Sequence, residues 1–115
     1  MATTQSQQIL IPKKVYIGDT AELRCSFNSD EAEFKQLTEK GETALSTEIF
    51  TSPLDSRDFE IINLKIAPAG VNYYQLTITF KPWKTGSIQF PSVKIGETEL
   101  VFESVNIVSL TEQDG

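Results

Sequence analysis

"YYQLTITFKPWKTGSIQFPSVKIG", residues 73–96, decides the fold. Tyr74, Leu76, Ile78 and Phe80 alternate with Gln75, Thr77 and Thr79, the two-residue period of a strand with one buried face and one wet face. On that parity Leu76 points into a core and Thr77 points to water. Lys81-Pro82 stops the run and also guards it, since YYQLTITF alone is an aggregation-prone window. A turn through Thr85-Gly86 leads to SIQFP, and Phe90-Pro91 ends that strand where a missing amide donor does no harm.

The same period recurs outward from this stretch. Ala21, Leu23, Cys25 and Phe27 alternate with Glu22, Arg24 and Ser26 after the Gly18-Asp19 turn, and Cys25 is expected to be a buried, quiet thiol. Before that turn, Ile9, Ile11, Val15 and Ile17 describe an edge strand, a break at Pro12 and a short continuation. In FEIINLKIAP, Ile62, Leu64 and Ile66 share one parity while Phe59 and Ile61 share the other, which predicts either a bulge or burial on both faces. ELVFESVNIVSL closes the pattern. Residues 28–58 are rich in turn formers. Short strands are expected around Phe34 to Leu37 and from Leu45 to Phe50, with Lys40-Gly41 between them. The helix-favouring residues from Ala32 to Lys40 lack the apolar stripe that would bury a helix. The whole reads as an all-β protein, an antiparallel β-sandwich of about seven to nine strands.

Its 115 residues suffice for one core without disulfide or metal support. The expected organisation is a single domain over 8–110, with disordered polar tails over 1–7 and 111–115, ends that suit a domain cut from a longer chain. A net charge of −6 without any dense Lys/Arg cluster repels phosphate backbones and anionic membranes, so nucleic acid is not an expected partner. No apolar run is long enough for direct membrane insertion.

Histidine is absent and Cys25 is the single cysteine. That removes Ser/His/Asp and Cys/His pairs, the usual zinc ligands and any intradomain disulfide, so no enzyme activity is expected, and no catalytic residue, cofactor or metal. Asp30, Glu31 and Glu33, with Asp55 and Asp58, offer oxygen ligands for calcium but lack the D-x-D-x-D-G spacing, and a solvated acidic surface is the simpler reading. Carboxylate pairs such as Glu97/Glu99 have nothing in view to raise one partner's pKa for glycoside cleavage.

Two family patterns are visible. VYIGDTAELRC followed by a Tyr-rich strand resembles immunoglobulin-type domains, although Tyr74-Gln75-Leu76 stands where those domains carry Tyr-x-Cys. Residues 73–110 resemble the modules of bacterial BatD-type oxygen-tolerance proteins through Leu76, Ile78, Gly86, Ile88, Phe90, Pro91, Val93, Val105 and Ile107. The BatD-type resemblance implies an extracytoplasmic module, in the periplasm or at the cell surface, belonging to a larger anchored protein. It implies contact with a protein partner or a neighbouring domain of the same chain, and no catalytic residues. The expected interaction surface comprises Asp30, Glu31, Glu33, Asp55, Asp58, Tyr73, Trp83 and Lys84. The competing expectation is a carbohydrate- or small-ligand-binding module that uses Tyr73 and Trp83, with Phe90, as an aromatic platform.

Overall fold

In the computed structural model, which describes residues 6–109, the elements run β1 (Ser6–Ile11), β2 (Val15–Tyr16), β3 (Ala21–Asn28), α1 (Ala32–Leu37), β4 (Thr43–Ala44), a 3-10 turn (Thr47–Ile49), β5 (Phe59–Gly70), β6 (Tyr73–Pro82), β7 (Gly86–Ile88), β8 (Val93–Ile95), β9 (Thr98–Leu100) and β10 (Val105–Val108). They build an all-β fold of three sheets. One has five strands in the order β1-β3-β6-β5-β4, a second is β2-β10-β7, and β8-β9 is a hairpin. Every pairing is antiparallel except β2 with β10.

The alternating runs supply the core. Leu23, Cys25 and Phe27 of β3 and Tyr74, Leu76, Ile78 and Phe80 of β6 are buried, as the alternation predicts. Ile88, Phe90, Val93, Leu100, Val105 and Ile107 are buried with them. Phe90 joins the layers, its ring meeting Phe80 edge-on at 5.0 Å and Phe59 at 4.7 Å, arrangements that suit the aromatic quadrupole. The break at Pro12 also changes sheet: β1 lies beside β3, whereas β2 lies beside the last strand, β10. The parity switch in β5 is a bulge, with the register shifting between Ile61 and Asn63 and Ile62 left half-exposed.

Four expectations need correction. The first strand starts at Ser6, so Ser6 and Gln7 belong to β1, while the tails expected beyond the described residues lie outside this description. Residues 32–37 form α1 rather than a strand. A single aromatic replaces the missing stripe: Phe34 is fully buried, 5.2 Å from the Phe27 ring and 5.3 Å from Tyr74. Leu45 to Phe50 is not a strand either. After β4 the backbone forms the 3-10 turn, started by Ser46 accepting from the Glu48 N–H, and touches the second layer through one bridge from Phe50 to Val93. Finally, Thr77 points away from the core as its parity requires, yet it is only 6% exposed. It sits between Arg24 of β3 and Lys65 of β5, whose long side chains flank it on the sheet surface.

Candidate functional site

The eight expected surface residues divide between the two ends of the five-stranded sheet. Because Phe59 pairs with Pro82 where β5 begins and β6 ends, the turns before β5 and after β6 meet at one end. Asp55 nucleates the first turn: its Oδ1 accepts from the Arg57 backbone N–H at 3.0 Å, and its carbonyl accepts from the Asp58 N–H at 3.0 Å. The Arg57 guanidinium folds back onto the same carboxylate, with Nε 3.2 Å from Oδ1 and Nη2 3.1 Å from Oδ2. That hydrogen bond, with the backbone one, holds the Asp55 carboxyl below its ordinary range and raises Arg57 in return. Asp58 then ties the second turn, its carbonyl accepting from the Trp83 N–H at 2.9 Å and its Oδ2 lying 3.3 Å from the Lys84 Nζ.

Trp83 is left 46% exposed at the centre of this arrangement. Lys81 Nζ stands 5.6 Å from the indole centroid, within cation–π range. Lys81 and Arg57 were not among the expected surface residues. Arg57 was detectable from Asp55-x-Arg57, where an Asx turn returns the side chain at i+2 to the aspartate.

At the opposite end, Asp30 and Glu31 lie between β3 and α1, Glu33 stands in the first turn of α1, and Tyr73 opens β6 opposite Asn28. Glu31 stands at the helix N-cap but does not cap it with its side chain. Its carboxylate accepts from the Glu97 N–H at 3.0 Å and from the hydroxyl of buried Thr98, latching α1 to the β8–β9 turn and pulling the Glu31 carboxyl below its ordinary range. Gly96 in that turn has φ +60, and a Cβ added there would lie 2.6 Å from Glu31 Oε1 and 3.1 Å from Glu33 Oε1. Its left-handed backbone is what calls for glycine, and a Cβ there would also displace the Glu31 carboxylate.

The aromatic platform is not assembled. Tyr73 and Trp83 flank β6 at its two ends, about 30 Å apart at the rise of an extended strand. Phe90 is buried between the layers. Among the described residues no group of three or more His, Cys, Asp or Glu side chains comes together to hold a metal ion, and no helix is long and apolar enough to cross a membrane. The Asp55, Asp58 and Glu31 carboxylates are occupied by the contacts above. At the Trp83 end the half-exposed indole stands among ion-paired groups, Arg57 with Asp55 and Lys84 with Asp58.

No family model, curated protein or solved structure matches the chain, which neither supports nor contradicts the BatD-type resemblance.

Proposed function

We propose that this domain is a non-enzymatic interaction or spacer module that contacts a protein partner, or a neighbouring domain of its own chain, through the Trp83 end. The observation that carries the reading is the meeting of two sequence-distant turns around one half-exposed indole, fixed by the Asp58 carbonyl and by the Lys84 ion pair. Tryptophan and arginine are the residue types that most often dominate protein interfaces, and here the turn backbone holds Trp83 and Arg57 in place before a partner arrives. An immunoglobulin-type sandwich fits the strand arrangement, in which the first strand changes sheet at Pro12 and runs parallel to the last. The extracytoplasmic, BatD-type setting in a bacterial envelope or surface protein belongs to the same proposal and rests on the sequence resemblance.

The test is capture of partners by the immobilised domain from solubilised envelope proteins, repeated with Trp83→Ala, Arg57→Ala and Tyr73→Ala. A partner retained by the wild type and by Tyr73→Ala, but weakened about 30-fold or more by Trp83→Ala, is the expected result. Glycan binding that depends on Trp83, with no protein captured, would replace the reading with the ligand-binding one.

A further inference from the structure

Residues 51–54 lead from the β8–β9 hairpin to the turn that carries Asp55. At its start this segment is pinned. The Thr51 N–H donates to the Ser92 carbonyl at 2.9 Å, and the Thr51 and Ser92 hydroxyl oxygens are 2.7 Å apart. The Ser92 Oγ in turn lies 2.7 Å from Glu99 Oε2. An ionised carboxylate can only accept, so Ser92 donates to Glu99 and the Thr51 hydroxyl donates to Ser92, with the Ser92 carbonyl at 3.2 Å as its second acceptor. The last bond of this relay is charge-assisted.

The hairpin that receives Thr51 is itself held at both ends. Ser92 precedes β8 and Glu99 lies in β9, while the turn between the two strands is latched to α1 by Glu31. Beyond Thr51 the segment has less support. Among the described residues, Ser52, Pro53 and Leu54 take part in no hydrogen bond, and a crevice of about 510 Å³ opens between them and Phe50. Of the three, Leu54 packs against the core. The four steps from Thr51 to Asp55 span at most about 14 Å. Pro53 stiffens them, because it fixes its own φ and disfavours a helical Ser52. A short, stiff segment passes the position of its pinned end to the other.

We propose that residues 51–54 are a strap through which the relay of Thr51, Ser92 and Glu99 positions the Trp83 end. The strap sets where the Asp55 turn stands, and Asp58 in that turn holds Trp83 by the bond from the Trp83 N–H to its carbonyl at 2.9 Å. Ser92 and Glu99 are thereby positioning residues for a surface in which they take no direct part. The functional meaning of the strap rests on the Trp83 end being the contact surface, but the positioning itself is measurable in the free domain.

Amide hydrogen exchange of the full chain, read residue by residue by NMR without any partner, tests this. Ser92→Ala removes the relay and should speed exchange of the Thr51, Asp58 and Trp83 amides at least about fivefold, as a lost hydrogen bond eases local opening. The Gly18 N–H donates to the Pro82 carbonyl at 2.8 Å, beside Trp83 but off the strap, and its rate should not change. Ser92→Thr keeps a hydroxyl and should restore the wild-type rates. Glu31→Gln loosens the far end of the hairpin and should leave Asp58 and Trp83 as they were. Faster exchange at Thr51 alone, or no change anywhere, overturns the proposal, since the pin then does not govern the turn. An equal rise at Gly18, an equal effect from Glu31→Gln, or a Ser92→Thr that behaves like Ser92→Ala overturns it too, because the effect is then general loosening.

Discussion

Thr77→Lys and Thr77→Glu test the row of residues on which the outer sheet face is built. Lysine at 77 would place three cations side by side, with neighbouring Cβ atoms about 5 Å apart and charged tips splayed to about 7 Å. Each like-charge pair then costs about 0.6 kcal/mol at a dielectric of about 80 and about 2.4 kcal/mol at about 20. Glu22, 2.8 Å from Arg24, and Glu42, 3.2 Å from Lys65, offset part of this repulsion. The net cost is about 1–2 kcal/mol for the two pairs together. For a domain of this size that lowers Tm by about 4–8 °C. Glutamate at 77 meets two cations instead, so its melt should lie clearly above that of the lysine variant, and the gap should narrow in about 0.5 M salt. Thermal melts by circular dichroism at low and high salt read both effects. Equal low-salt melts for the two variants would refute the row. Leu76→Asp, one position along, buries an unpaired carboxylate and should prevent folding altogether.

Cys25 should react slowly with a thiol reagent in the native protein and fast in urea, because burial pushes its thiol from 9.0 up to about 12. Since the folded value is the higher one, the stability linked to this group is full below about 9 and is lost as pH rises toward about 12; urea titrations across that window should show the decline, and Cys25→Ala should remove it. Glu31 behaves oppositely: its folded value is lowered, so its contribution is present above the ordinary carboxylate pKa and disappears as pH falls through the folded one, a loss that Glu31→Gln should abolish in acid melts. Gly96→Ala should destabilise by about 1–2 kcal/mol for its left-handed backbone, plus a clash with Glu31. In a Glu31→Ala background, which removes the latch and the clash together, Gly96→Ala should still cost about 1–2 kcal/mol, so a change that costs nothing there would show that the backbone argument is wrong.

Much of the sheet could be read from the sequence because β3 and β6 each bury one face and wet the other, which writes a two-residue period into their residues. The β5 bulge was one of the two readings that the change of parity near Ile62 left open, and the register decides for it. Helix α1 was not, since Phe34 alone is fully buried in it and one aromatic makes no stripe. The stretch around Phe50 failed similarly, because a single bridge to Val93 leaves no periodic trace. Thr77 shows a different limit: its outward parity was correct, but its cover depends on the register of two other strands. At the site, Trp83 was expected on the surface, whereas its meeting with Asp58 required knowing that β5 starts where β6 ends. The separation of Tyr73 from Trp83 was within reach, since the residues between them spell one unbroken strand that continues to Pro82.

Site-directed photo-crosslinking tests the proposed contact surface most directly, with a photoreactive phenylalanine placed in turn at Trp83, at Tyr73 and at Asp30 of the domain in its native full-length setting. Crosslinks to a protein partner or a neighbouring domain from position 83, with little or none from 73 and 30, are the expected result. Crosslinks concentrated at 73 or 30 and absent at 83 would contradict it.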